Sequence, residues 1–294
     1  MQQIGVIGLG NIGGAIAANL VADGCAVTVA DADPARVEAV VGAERGDVGA
    51  VAAACEVTIT SLPTPEVVAE VATAWASRAA AGSILLDLST SSPAGNQALA
   101  ARLGATGHHF VEAPLTGGAV GAQNRTLVFM VGGDDEPVAR CLPVLDQLGR
   151  ATFHLGPVGS GTTMKLINSL LAFTCTLVSM EGLALGAAAG LDLRAVVDVV
   201  RTGGASNFFI DRAVEGLDVR GKPTQFALAL AAKDARLVEA IAEGANVPAP
   251  VAAAVSSVLA DAVERGLGDH DWSDLVLAAE ARSGQSLVLG PAEG

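Results

Sequence analysis

Apolar residues in the first half of the chain come in short runs, each followed by a stretch with helical spacing. Gln3-Ile-Gly-Val-Ile-Gly8, Ala26-Val-Thr-Val-Ala30, Val57-Thr-Ile-Thr-Ser-Leu-Pro63, Ser83-Ile-Leu-Leu-Asp-Leu-Ser-Thr90 and His109-Phe-Val-Glu112 end in glycine, proline or polar residues and read as buried strands. Thr126-Leu-Val-Phe-Met-Val-Gly-Gly133 and Thr152-Phe-His-Leu155 are expected to complete the same sheet. Strands alternating with helices predict an α/β domain on a parallel sheet, placed at residues 1–158. From 159 to 294 the spacing is helical, with breaks at Gly203-Gly204, Gly221-Lys-Pro223, Val247-Pro-Ala-Pro250 and Gly266-Leu-Gly268, so an all-helical domain follows. Its first segment, running from Gly159 through Gly186, is apolar on every side and is expected to be buried between the two halves.

The first strand leads into Gly8-Leu-Gly-Asn-Ile-Gly13 and then an amphipathic helix. This is the context a dinucleotide fingerprint requires. Gly8 permits a tight turn, Gly10 admits a pyrophosphate and Gly13 lets helix and strand close up, while the helix N-terminus attracts phosphate. Gly8, Gly10, Asn11, Ile12 and Gly13 are therefore cofactor candidates, and the first domain is read as Rossmann-type. Asp31 ends the second strand, 18 residues after Gly13, where a carboxylate meets a ribose 2′-hydroxyl and repels a 2′-phosphate. The next arginine is Arg36, so NAD is favoured over NADP. Asp31 also reads as a helix cap before Pro34.

Strand ends on the carboxyl side of a parallel sheet face the ligand crevice, which adds Leu62, Pro63, Ser89 and Thr90. Asp87 reads equally as a site residue and as a structural hydrogen-bonding group. Thr116, Gly117 and Gly118 offer a hydroxyl and backbone N–H groups to an anion, although a Thr-Gly-Gly segment is also an ordinary turn. Only three of the 17 basic residues are lysines, namely Lys165, Lys222 and Lys233. Lys165, Asn168 and Ser169 fall at i, i+3 and i+4 on the apolar helix and share a face. A lysine there supplies a compact ammonium whose pKa can be tuned for proton transfer.

Net charge of −14 and a pI near 4.6 argue against nucleic acid as a partner. Mean hydropathy is high at +0.50, but charges and glycines interrupt the apolar stretches, so no membrane span is expected. With no basic leader ahead of the first strand, a cytoplasmic protein is expected. Cys25, Cys55, Cys141 and Cys175 read as core residues, and four histidines without ligand spacing give no metal site.

Together these motifs resemble the β-hydroxyacid dehydrogenase family, which includes 3-hydroxyisobutyrate dehydrogenase and tartronate semialdehyde reductase and is related to 6-phosphogluconate dehydrogenase. The resemblance spans essentially the whole chain. It rests on Gly8–Gly13, Asp87-Leu-Ser-Thr90 with Pro93, Glu112-Ala-Pro-Leu-Thr-Gly-Gly118 with Gly121, Gly159-Ser-Gly-Thr-Thr-Met-Lys165, and Lys233-Asp234. It implies Lys165 as the catalytic lysine, Thr116–Gly118 as the substrate loop, Lys233 near a nicotinamide, and assembly as a homodimer or homotetramer. Two positions depart from the family pattern. Ser169 stands where asparagine is usual, with Asn168 one place earlier, and Arg125 stands where glycine is usual; it reads either as a solvated arginine or as a contact for an extra anionic group.

The expected activity is hydride exchange between NAD and a short, anionic 3-hydroxy acid or its semialdehyde. The complete lack of tyrosine excludes the Tyr-x-x-x-Lys relay of short-chain dehydrogenases. A His-Asp dehydrogenase would need His108, His109, His154 or His270 in the cleft. An NADP-dependent imine reductase, in which the lysine is usually replaced, and a noncatalytic nucleotide-binding protein on the same fold also compete with the dehydrogenase.

Overall fold

Residues 3–211, 217 and 220–289 are described by a computed structural model, in which the chain divides into two units, Met1–Lys165 and Leu166–Gly294. The first unit is built on β1 (Gln3–Ile7), β2 (Ala26–Ala30), β3 (Glu44–Arg45), β4 (Val57–Thr60), β5 (Ile84–Asp87) and β6 (His109–Glu112). They form a parallel sheet in the order β3-β2-β1-β4-β5-β6. The strand order reverses about β1, the place where sheets of this kind take a ligand outside the strands' carboxyl ends. Helices α1 (Gly13–Ala22), α2 (Pro34–Ala39), α3 (Val48–Ala54), α4 (Pro65–Ala76) and α5 (Pro93–Gly104) connect the strands. Asp33, Asp47, Thr64 and Ser92 cap the last four with their side chains, and Pro34, Pro65 and Pro93 occupy first turns where a missing N–H costs nothing. β3 escapes the hydrophobic pattern because it is two exposed charged residues.

The expectation of one sheet is corrected. β7 (Leu115–Thr116), β8 (Leu127–Val131) and β9 (Gly149–His154) form a separate three-stranded sheet, with β8 antiparallel to β7 and parallel to β9. Pro114, just beyond β6, has no N–H to extend a ladder, and a single bridge between Glu112 and Gly132 joins the two sheets. Helices α6 (Gly118–Gln123) and α7 (Asp135–Leu148) complete this region.

Helix α8 (Ser160–Ala188) starts in the first unit, and the second continues with α9 (Leu193–Thr202), α10 (Leu228–Gly244), α11 (Pro250–Ala262) and α12 (Leu275–Ser283). A break not anticipated from the pattern ends α8, where Gly190 takes φ +77° and Asp192 caps α9. Phe173, Met180, Leu183, Val197, Leu228, Leu259 and Leu275 are among the buried residues of the second core.

The reading of α8 as buried all round does not hold. Met164, Ile167, Leu171, Val178 and Leu185 are exposed, from 36% at Met164 to 73% at Leu185. Nor do its interruptions prevent it from being long and apolar enough, by length and composition alone, to cross a membrane. Of the cysteines, Cys55 and Cys141 are core residues, and burial pushes the Cys141 thiol up to about 12; Cys25 and Cys175 are only half-buried.

Candidate active site

The fingerprint turn is fixed by two close approaches. A Cβ on Gly8, where φ is +89°, would strike the Ser61 carbonyl oxygen, and one on Gly13 would strike the Gly8 carbonyl oxygen. Gly10 differs: the nearest atom to an added Cβ is Arg36 Nη1 at 3.9 Å. Space is left open beside the start of α1, whose N-cap Ile12 contributes no side-chain acceptor.

Asp31 closes this turn from β2. Its Oδ2 accepts from Leu9 N at 2.6 Å and its Oδ1 from Asp33 N at 2.8 Å, while Arg36 Nη1 lies 3.9 Å from Oδ2. The side-chain cap of α2 is Asp33, accepting from Ala35 N, while Asp31, its side chain 7% exposed, spends both oxygens on backbone N–H groups of the fingerprint turn and of the approach to α2.

The loops after β4 and β5 are tied together. Leu62 N donates to Ser89 Oγ at 2.9 Å, Ser89 N to Asp87 Oδ1 at 3.1 Å, and Thr60 Oγ1 to the same oxygen at 2.8 Å. Ser89 is buried and Asp87 wholly so. The contacts support the structural reading of Asp87, and Ser89 fastens the two loops together. Burial raises the Asp87 pKa in spite of bonds from Ser89 and Thr60, and nearby Glu112 adds to the rise. Its Oδ2 has no hydrogen-bond partner among the described residues. Leu62 and Thr90 are half-buried and Pro63 is exposed at the same strand ends.

Thr116 closes β7, and Gly117 and Gly118 follow with φ of +124° and +62°, a left-handed pair that turns the chain into α6. Beside this loop, Glu112 is fully buried. Its Oε1 accepts from Gly159 N at 2.8 Å and Thr162 N at 3.0 Å. Its Oε2 accepts from Asn96 Nδ2 at 2.7 Å and Thr162 Oγ1 at 2.9 Å. One carboxylate thus holds the first turn of α8. One turn on stands Lys165, half-buried, followed on the same helix by half-buried Asn168 and by Ser169, only 3% exposed. In the second unit Lys233 lies on α10, its Nζ 3.0 Å from Asp234 Oδ1.

Residues 3–156 match the model described as the NAD binding domain of 6-phosphogluconate dehydrogenase, and residues 159–279 match that described as NAD-binding of NADP-dependent 3-hydroxyisobutyrate dehydrogenase. The chain belongs to the β-hydroxyacid dehydrogenase family. It is 31% identical over 296 residues to 2-(hydroxymethyl)glutarate dehydrogenase of Eubacterium barkeri, covering 98% of each chain. With 3-hydroxyisobutyrate dehydrogenase of Pseudomonas aeruginosa it shares 36% over 219 residues, 72% of this chain and 73% of that one. The Mycobacterium tuberculosis 3-hydroxyisobutyrate dehydrogenase with L-serine superposes at a TM-score of 0.85, with 27% identity over 94% of this chain and 98% of the other. The protein is accordingly an oxidoreductase of hydroxyacid dehydrogenase type with an NAD-binding first domain.

The family's usual glycine at position 125 has a physical reason in this dehydrogenase. Arg125 sits at φ +57°, and its guanidinium reaches away to α1, donating to Asp23 Oδ2 at 2.6 Å and to the Asn19 carbonyl at 3.3 Å. Neither sequence-based reading of Arg125, solvated or anion-binding, describes this brace. Glu112, Asn96 and Thr162 were missed as a group. The available signal was a carboxylate ending an otherwise apolar parallel strand, a position that demands a partner.

Proposed function

We propose that the enzyme oxidises a short 3-hydroxy acid, or reduces the matching semialdehyde, with Lys165 carrying the hydroxyl proton. NAD, when bound, accepts or supplies the hydride. The observation that carries the reading is the half-buried Lys165, one helical turn beyond a start pinned by a buried carboxylate. In this reading residues 1–158 hold most of the cofactor and lend the loop at 116–118 to the substrate, while 159–294 supply the catalytic lysine and serve substrate binding and dimerisation.

The residues present suit a dinucleotide. The open space at Gly10, together with Gly8, Asn11, Ile12 and Gly13, receives the pyrophosphate, and Asp31 takes the adenosine ribose. Leu62, Pro63 and Thr90 line the nucleotide from the neighbouring strand ends, and Lys233 serves the nicotinamide side. NADP is disfavoured by the Asp31 charge.

The names of the relatives define a substrate class. 3-Hydroxyisobutyrate, 2-(hydroxymethyl)glutarate and L-serine all carry a hydroxymethyl group on the carbon that bears a carboxylate, and differ in one substituent. The loop Thr116-Gly117-Gly118 grips that common carboxylate. Asn168 or Ser169 holds the hydroxyl; of the two, half-buried Asn168 has the more accessible side chain, Ser169 being 3% exposed. The cation at Lys165 also stabilises a developing alkoxide.

A homodimer or homotetramer belongs to the proposal. Met164, Leu171, Val178 and Leu185 are exposed at steps of seven residues along α8, the repeat that pairs helices.

The test is NADH formation with 3-hydroxyisobutyrate, L-serine, 2-(hydroxymethyl)glutarate and D-glycerate, on the parent and on Lys165→Ala. Turnover should fall by about 10²–10⁴-fold in the variant, with NADH affinity within a few-fold. A second reading rests on His270, whose Nδ1 is 2.8 Å from Asp274 Oδ2. Retained turnover in Lys165→Ala with loss in His270→Ala would favour it, and failure to bind either nicotinamide nucleotide would leave a noncatalytic protein.

A further inference from the structure

Four helices of the first unit, α2 to α5, are capped by a side chain immediately before them. Helix α8 is held instead by Glu112, 47 and 50 residues away from the two backbone N–H groups it accepts. A local cap satisfies N–H groups but moves with its helix. A carboxylate at the end of a sheet strand also fixes where the helix stands and how it is rotated.

The grip is complete on the acceptor side. Each Glu112 oxygen accepts two hydrogen bonds, and Asn96 Nδ2 is shared between Glu112 Oε2 and Thr162 Oγ1, the latter at 3.0 Å. Burying a carboxylate is costly unless it is paired or well bonded, and three donors at the start of α8 with a fourth from Asn96 on α5 meet that cost. Sideways movement is blocked as well. A Cβ on Gly132 would lie 2.5 Å from Glu112 Oε1 and 3.0 Å from Gly161 N, and one on Gly161 would strike the Met130 carbonyl oxygen. Helix start and strand end are in backbone contact, with no slack to absorb a change in the carboxylate.

We infer that Glu112 is a positioning residue for Lys165, with Asn96 and Thr162 as its partners. The inference rests on the reading of Lys165 given above. Lys165 follows Thr162 by one turn, so a shift of the first turn is passed directly to the lysine, and misplacement by about 1 Å costs on the order of 10²-fold in rate. Glu112→Gln keeps the shape but turns an amide NH₂ toward Asn96 Nδ2, donor against donor. Adding Asn96→Asp restores a donor facing an acceptor and returns the negative charge to the hydrogen-bonded side chain at 96.

The chain has three lysines, so reductive methylation with ¹³C-formaldehyde labels few groups, and Lys165→Arg assigns the Lys165 methyl resonance. Glu112→Gln should move or broaden that resonance while those of Lys222 and Lys233 stay, and the Glu112→Gln/Asn96→Asp protein should bring it back. On the hydroxy acid that the parent turns over, kcat should fall about 10-fold or more with NADH affinity within about two-fold, and recover in the double variant. An unmoved resonance with kcat within about two-fold of the parent overturns the inference, as does failure of Asn96→Asp to restore either. Should Glu112→Gln not fold, Thr162→Ala keeps the backbone bonds and removes the hydroxyl. The same two readouts apply, and no change in them overturns the inference. An active Lys165→Ala would bring down the reading of the lysine itself, whereas an inactive one beside an unaltered Glu112→Gln would bring down this inference alone.

Discussion

Arg125 is held at φ +57°, where a side chain costs about 1–2 kcal/mol relative to glycine. Against that cost stand its bonds to Asp23 and the Asn19 carbonyl, formed by side chains 36% and 28% exposed for the ion pair, a setting worth about 0.5–1 kcal/mol. Arg125→Ala gives up the brace and keeps the strain, so it should lose about 1 kcal/mol. Arg125→Gly gives up the same brace but releases about 1–2 kcal/mol of strain, less about 0.5–1 kcal/mol for the freer unfolded chain. It should therefore match the parent within about 0.5 kcal/mol and exceed the alanine variant by a similar amount or more. At an ordinary position alanine is the more stable of the two. Urea denaturation of the three proteins, compared at equal m-value, measures the order. NADH formation should be unaltered in both variants, because the guanidinium is turned toward α1. Alanine equal to or above glycine would refute the strain argument, and a raised KM for the hydroxy acid would refute the brace.

Three further outcomes are expected. Asp87→Asn should remove a pH dependence: the folded pKa is raised, so the stability Asp87 contributes is present below about pH 4 and is lost as pH rises toward the folded value, by up to about 1.4 kcal/mol per unit. The asparagine variant should gain on the parent from pH 4 to 7 in thermal melts, and parallel curves would count against a raised pKa. Asp31→Asn removes a charged acceptor from Leu9 N and should weaken NAD by about 10-fold or more. With Arg36 Nη1 only 3.9 Å from that carboxylate, NADP should gain, and an unchanged NAD-to-NADP ratio in fluorescence titration would exclude Asp31 as the selector. Leu171→Glu places a charge in the exposed stripe of α8 and should reduce the mass seen by light scattering to that of one chain; an unchanged multimer would move the interface elsewhere.

The period of the apolar residues carried most of the architecture. Strands buried on both faces and helices with proline in the first turn leave strong local marks, and the glycines at 8 and 13 mark a turn that only they can make. What escaped was set by contacts distant in sequence. The two-residue β3 has no apolar run, and the split into two sheets depends on Pro114 ending a ladder. Asp31 stood out by its fixed distance from the fingerprint, but its bonds to Leu9 N and Asp33 N, which brace the turn, could not be read from that spacing. Glu112 was visible inside a recognised motif, yet its role needed partners at 96, 159 and 162 to be brought around it. The exposed stripe of α8 was misread because apolar periodicity records that a surface is to be covered and says nothing of whether the same chain covers it.

The difference among the three fingerprint glycines separates two properties that usually travel together. A methyl group at position 8 or 13 collides with the protein's own backbone, so selection for a folded chain alone would retain those residues. Position 10 meets nothing of its own closer than 3.9 Å. On the proposed seating of the pyrophosphate there, only the nucleotide can police it. A descendant of this gene freed from catalysis could drift first at that residue and remain an intact, persistent protein, so one codon would record whether a lineage still uses its cofactor.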